Sequence, residues 1–329
     1  MRAGERGYAL LLAIAVVAAL AIAVLGSARA LSDVTTSAAR LQEGRTEIVA
    51  AESLMSRLTF ALLTQETTAR SVVMSDNVRR AGEELRLDGA WYGVNGARGA
   101  YVSVQDEAGL FNLNSADEQG LAALLAVAGA GNESLTLAAR LMDYTDGDDF
   151  TRDRGAEGRD YERAGLPPPA DRPLSSRWQA IEALGWRDRR IETGPVWGWV
   201  AVGRSESGLN INTAPAPVLE AALGDRRRAR TIIAQREAGP LTDIAQVEAL
   251  TGGTARANGV NFVVAPGRGF RVQAVFGSRG RLHGIERRLE LGGAEAARPF
   301  EWGEEREVRL APFQNGDSIN SLSLDTPAS

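Results

Sequence analysis

From Gly7 to Ala28 the chain carries no charged residue, and this run directly follows the short leader Met1-Arg-Ala-Gly-Glu-Arg-Gly7. An α-helix rises 1.5 Å per residue, so roughly 20 apolar residues match the hydrocarbon thickness of a bilayer. Arg2 and Arg6 ahead of the run hold the N-terminus on the cytoplasmic side, and everything beyond Arg29 is sent outward. The expectation is a membrane helix over 8–28, with the bulk of the chain on the far side.

Three kinds of N-terminus share this outline. A cleaved secretory signal has a basic start, a shorter apolar stretch and an A-x-A site. Ala28-Arg-Ala30 offers the site, but the stretch is long for a signal. A plain signal anchor is the second reading. In the third, Arg6-Gly7-Tyr8-Ala9-Leu10-Leu11 resembles a type IV prepilin leader. That resemblance implies a leader at 1–7, cut after Gly7 by a prepilin peptidase, and an N-methylated Tyr8 as the first mature residue.

Between Ser32 and Leu87 there is no proline, and Gly44 and Gly82 are the only glycines. Ile48, Ala51, Met55, Leu58, Leu62 and Leu63 recur at helical spacing on one stripe. A single rod is predicted, with a membrane part at 8–28 and an outer part at 29–88.

The chain as a whole is 44% hydrophobic, enough to bury a core in the residues beyond the helix. A net charge of −5 argues against a dedicated nucleic-acid binder, and the absence of cysteine excludes disulfides. Ala100 to Gln105 alternates as a strand, and Phe270–Phe276 with Leu282–Leu289 reads as a hairpin about Gly277-Ser-Arg-Gly280. The expected divisions are a sheet region at 89–109, a helical insertion at 110–264, more sheet at 265–310 and a flexible tail at 311–329.

The insertion repeats itself. Gly109-Leu-Phe-Asn-Leu-Asn-Ser-Ala116 is echoed by Gly208-Leu-Asn-Ile-Asn-Thr-Ala214, and each copy leads into a pair of helices. Ser115 and Thr213 are placed as helix N-caps, where a hydroxyl accepts from free first-turn amides. The asparagines suit the preceding turn and are read as structural.

Asp143, Asp146, Asp148, Asp149, Glu157, Asp160 and Glu162 crowd one glycine-containing segment. Such a segment supplies hard oxygen ligands of the kind calcium takes. An EF-hand register from Asp146 puts Glu157 at position twelve but leaves Phe150 and Thr151 where a ligand and a glycine are needed, so it is not an EF-hand. Arg152, Arg154 and Arg159 allow the competing reading of a solvated, salt-bridged loop.

Taken in this order along one chain, the leader, the long helix, the two Asn-x-Asn-(Ser/Thr)-Ala units and the acidic stretch resemble the K subunit of the type II secretion system, a minor pseudopilin. The resemblance implies an α+β fold: a pilin-like long N-terminal helix packed on a small antiparallel sheet, with an inserted helical domain of two helix-hairpin-helix-like units. It implies inner-membrane anchoring with the bulk in the periplasm, and partnership with other minor pseudopilins and the major pseudopilin at a pseudopilus tip. It also implies calcium in the inserted domain, with Asp146, Asp148 and Glu157 as first ligands and Asp143 and Asp149 beside them. Most mature pilins have Glu at the fifth position, where this chain has Leu12; the K class shares that omission.

Arg226-Arg-Arg-Ala-Arg230 and the similarity of 210–242 to helix-hairpin-helix modules raise an alternative, a membrane-anchored DNA receptor of a competence system. The hairpin there reads Leu223-Gly-Asp-Arg226, with one glycine and an acidic residue, so no nucleic acid is expected. His283 is the only histidine and sits on an expected strand. Trp178, Trp186, Trp197 and Trp199 read as core or interface anchors. No phosphate loop, nucleophile elbow or metalloprotease signature occurs, and no enzyme is expected.

Overall fold

Helix α1 (53–64) buries Leu54, Met55, Leu58, Ala61 and Leu62, a stripe at helical spacing, and leaves Leu63 exposed. In this computed structural model the described residues are 48–74, 84–97, 99–187, 189–192, 194–203, 208–253, 256–277, 282–293, 296–311, 313, 319–324 and the single positions 17, 20 and 29. The chain divides into two compact units, 1–52 and 53–329. In the first, the described residues 17, 20, 29 and 48–52 are all helical. The leader, Gly7, Tyr8 and nearly all of the run at 8–28 lie outside the described residues. Among those described, no helix is long and apolar enough to cross a membrane.

The helix expected over 29–88 ends early, at Thr64. Hydroxyl side chains compete there for the backbone bonds that would continue it. Thr68 Oγ1 accepts from the amides of Arg70 (3.3 Å) and Ser71 (3.0 Å), and Thr67 bridges to Val72. Strand β1 (Ser71–Val73) then pairs antiparallel with β2 (Glu84–Arg86). Val72 and Val73 favour this pleated conformation over helix.

Strands β3 (Asp88–Val94) and β4 (Ala100–Asp106) form a hairpin about Asn95-Gly96, with Gly96 at φ 78°. The chain next makes a long excursion. It runs through β5 (Phe111–Asn112), α2 (Glu118–Val127), α3 (Ser134–Thr145), α4 (Gly158–Ala164), α5 (Arg189–Glu192) and β6 (Val200–Ala201). It continues through β7 (Leu209–Asn210), α6 (Ala216–Leu223), α7 (Arg226–Ala238), α8 (Ile244–Thr251), β8 (Arg256–Ala257) and β9 (Val260–Val263). Finally β10 (Gly269–Phe276), β11 (Leu282–Leu291), β12 (Phe300–Leu310) and β13 (Asn320–Leu322) complete a six-stranded sheet in the order β12-β11-β10-β4-β3-β13.

Within this sheet only the β13–β3 pair is parallel. Phe270 lies opposite Asp106, so residues 107–268 leave and re-enter the sheet at the same end of two neighbouring strands. The insertion has one core that includes Phe111, Leu121, Leu125, Leu141, Trp186, Leu219 and Ile232. The mixed α+β architecture agrees with the sequence. Within the tail expected to be flexible from 311, the described residues 320–322 instead form β13, and Leu322 and Leu324 are buried. Leu322 and Leu324, two positions apart, point inward at this short edge strand, a pattern too brief to stand out in a polar segment.

Candidate functional site

The two halves of the insertion follow one plan. A two-residue strand enters a turn, helices follow, and the chain returns beside that strand in parallel: β5 with β6, and β7 with β9. In both turns the paired asparagines do the same work. Asn112 Oδ1 accepts from Asn114 N (2.9 Å), and Asn210 Oδ1 from Asn212 N (3.1 Å). The second asparagine then clamps a distant loop through both backbone groups. Asn114 holds the amide (2.8 Å) and carbonyl (2.9 Å) of Leu174, while Asn212 holds those of Leu241 (both 2.8 Å). A carboxamide is both donor and acceptor, which is why Asn fills these places.

Ser115 and Thr213 do not cap the helices. Asp117 caps α2, accepting from Gly120 N at 2.7 Å, and α6 begins after Pro215 with no side-chain cap. Thr213 Oγ1 instead donates to Asp106 Oδ2 at 2.9 Å. Asp106, at the end of β4, also accepts from Asn210 Nδ2 (2.9 Å), Ala108 N (2.9 Å) and Gly267 N (3.1 Å). This buried carboxylate thereby joins the end of β4, the second unit and the returning chain. Burial pushes its carboxyl up, against the pull of Asn210, Thr213 and the two amides.

The acidic segment begins on the last turn of α3. Asp143 is fully buried; its Oδ2 accepts from Ala156 N (2.9 Å) and Arg152 N (3.2 Å), and its Oδ1 from Arg152 Nη1 (2.6 Å). The same guanidinium bonds Asp146. Gly155 has no side chain because a Cβ there would overlap the Asp143 carboxylate. Asp148 and Asp149 are exposed, and Asp148 Oδ1 accepts from Phe150 N (2.9 Å) in a local turn.

Glu157 is buried at the start of α4 with no hydrogen-bond partner on either carboxylate oxygen, and Asp146 Oδ1 is likewise unpartnered. Burial, then the charges of Asp143, Asp146, Asp171 and Asp149, raise the Glu157 carboxyl to about 7. Among the described residues no group of three or more His, Cys, Asp or Glu side chains is gathered to hold a metal ion. The structure thus brings Asp143 and Asp146 together through Arg152, sets Glu157 within their field, and leaves Asp148 and Asp149 apart.

Other singled-out residues are structural. Trp186 Nε1 donates to Leu137 O and Trp197 Nε1 to Ile191 O, both at 2.9 Å. His283 lies on β11 opposite Phe276 and Arg309. At the α6–α7 turn, Gly224 is left-handed at φ 63°. Asp225 Oδ1 accepts from the amides of Arg227 (2.8 Å) and Arg228 (3.2 Å), so it fills the donors a phosphate would use.

Residues 209–265 match the family model described as "Type II secretion system (T2SS), protein K". That span is the second unit of the insertion, from β7 through β9. The fold is also similar to a chain in the crystal structure of the GspK-GspI-GspJ complex from the type 2 secretion system of enterotoxigenic Escherichia coli. The TM-score is 0.57 at 17% identity, covering 83% of this chain and 99% of that one. No curated protein sequence matches.

Proposed function

We propose that this chain is the K-type minor pseudopilin that caps a type II secretion pseudopilus and starts its assembly, so that folded proteins are exported across the outer membrane. The observation that carries the proposal is the excursion of 107–268 from one strand end to its neighbour, built twice on one plan, with the second copy under the family match. A bulky helical insertion obstructs lateral stacking and suits a terminal place better than a shaft. The related crystal structure is of a three-component GspK-GspI-GspJ complex. By analogy the partners here are other minor pseudopilins, with the major pseudopilin below.

On this reading a prepilin peptidase cuts between Gly7 and Tyr8 and methylates the new amine. Residues 8–28 then sit in the inner membrane as the start of a pilin-like helix, and the bulk lies in the periplasm. At Leu12 a carboxylate without a partner would cost several kcal/mol, so its absence suits a subunit with no neighbour above. The role is binding, with no catalytic residue assigned.

Calcium is part of the same proposal. Asp146 Oδ1 and both Glu157 oxygens are hard donors, buried and unpartnered, which fits this cation. Asp143 joins Asp146 through Arg152, whereas Asp148 and Asp149, which lie apart, would have to turn inward to complete the set.

Mass spectrometry of the mature chain, extracted from cells with its complex, tests the proposal. The expected result is an N-methylated Tyr8 at the N-terminus and copurification with other minor pseudopilins. An N-terminus at Leu31, or an intact Met1, overturns it.

A further inference from the structure

Near the end of the described chain, Phe313 touches one face of the sheet and residues 320–322 its edge. The Phe313 ring lies 5.6 Å from that of Trp91 and 4.8 Å from that of Tyr101. Tyr92 is opposite Val102 and Gly93 opposite Tyr101, so strand alternation puts Trp91 and Tyr101 on one face and Tyr92 and Val102 on the other. β13 then lies along the edge, pairing with Tyr92, Gly93 and Val94 alone.

Around this short ladder, Asn95 N donates to Leu322 O (2.9 Å) and Asn95 Nδ2 to Ser323 Oγ (3.0 Å). Leu322 and Leu324 are 1% and 5% exposed. Beyond them Arg57, on α1, donates from Nη1 to Leu324 O at 2.9 Å. Phe313 on a sheet face, residues 320–322 on the sheet edge and Leu324 against Arg57 therefore link the sheet to α1. The backbone attachment is a three-residue parallel ladder, the weaker kind of pairing.

We propose that residues 320–324, together with Phe313, are a clasp over the β3 edge, and that its seating sets how firmly α1 is held to the sheet. Seated, it covers the edge and ties down the helix through Arg57. Unseated, it leaves β3 as an open edge and α1 with one fewer tether. If the N-terminal helix is the part drawn into an assembly, a consequence resting on the proposed function, the clasp decides whether helix and sheet move as one.

The chain has no cysteine, so Asn95→Cys combined with Ser323→Cys creates a pair that can join only each other. Hydrogen exchange is read in full-length protein held in detergent. The oxidised pair, closed within one molecule, is expected to slow exchange in 53–64 severalfold relative to its reduced form. Removal of 319–329 is expected to speed exchange at least tenfold in 53–64 and 88–94, leaving the β10–β11 hairpin unchanged. If the truncation loosens the hairpin as well, Arg57→Gln decides: severalfold faster exchange in 53–64 alone supports the clasp, and no change overturns it. A disulfide formed only between molecules, or truncation without effect on 53–64, also overturns it. None of these readouts depends on secretion.

Discussion

Glu157 shows how one side chain can record what its surroundings lack. Its folded carboxyl is raised from 4.5 to about 7, so the charged form is the disfavoured one. The stability associated with its neutral form is complete below about pH 4.5 and is lost as pH rises through about 7. Glu157→Gln is therefore expected to stabilise the chain by on the order of 1 kcal/mol at pH 8 and to change little below pH 5, given ~1.4 kcal/mol per pKa unit. Urea unfolding at the two pH values checks this; equal effects at both would contradict the assignment. If calcium binds as proposed, it raises the wild-type melting temperature more at pH 8 than at pH 6 and leaves the variant unmoved. The carboxylates themselves were legible in the sequence. The Arg152 bridge between Asp143 and Asp146 was not, because which of three nearby arginines turns inward depends on how the loop closes.

At the level of elements, the repeat was readable because its turn chemistry is local, and the first Asn of each pair bonds an amide two residues on. The long reach of Asn114 and Asn212 to Leu174 and Leu241 has no such local signal. Helix starts show the same divide. A cap is chosen by where the backbone leaves the turn, and in the first unit that is Asp117, two residues past the expected Ser115. Asp117→Ala is expected to cost about 1 kcal/mol, as N-cap removals do, while Ser115→Ala stays within about 0.5 kcal/mol. Equal losses on urea unfolding would argue that α2 begins elsewhere. The early end of α1 had a signal in its run of Thr and Ser, outweighed in the sequence by the absence of proline and the scarcity of glycine.

Across the whole molecule, the insertion is held to the sheet by buried charge. Arg271 on β10 donates to Trp197 O (3.3 Å), Gly198 O (3.3 Å) and Val200 O (2.6 Å). Burial, and then Arg177, push its guanidinium down to about 10. Arg177 pairs with Glu286 on β11, which also accepts from Gln273. Burial alone would raise the Glu286 carboxyl, but Arg177 and Arg271 outweigh it and hold it low. Breaking such a pair strands a buried charge, so Arg177→Met is expected to destabilise by about 3 kcal/mol. The Trp178 ring, 4.7 Å from the Arg177 guanidinium carbon and 4.4 Å from that of Arg306, makes tryptophan fluorescence a reporter of the unfolding. A loss under about 1 kcal/mol would mean the insertion is held by its apolar contacts instead.

By itself the sequence determined the α+β class, the β10–β11 hairpin, the paired units and their structural asparagines, because strand alternation, helical spacing and Asx turns act over a few residues. Only the tertiary structure decided that Asp106 would join three segments, that Thr213 would serve it rather than a helix, and that the tail would close a sheet edge. Those choices pair groups far apart along the chain, and no short-range pattern records a partner that folding alone brings near.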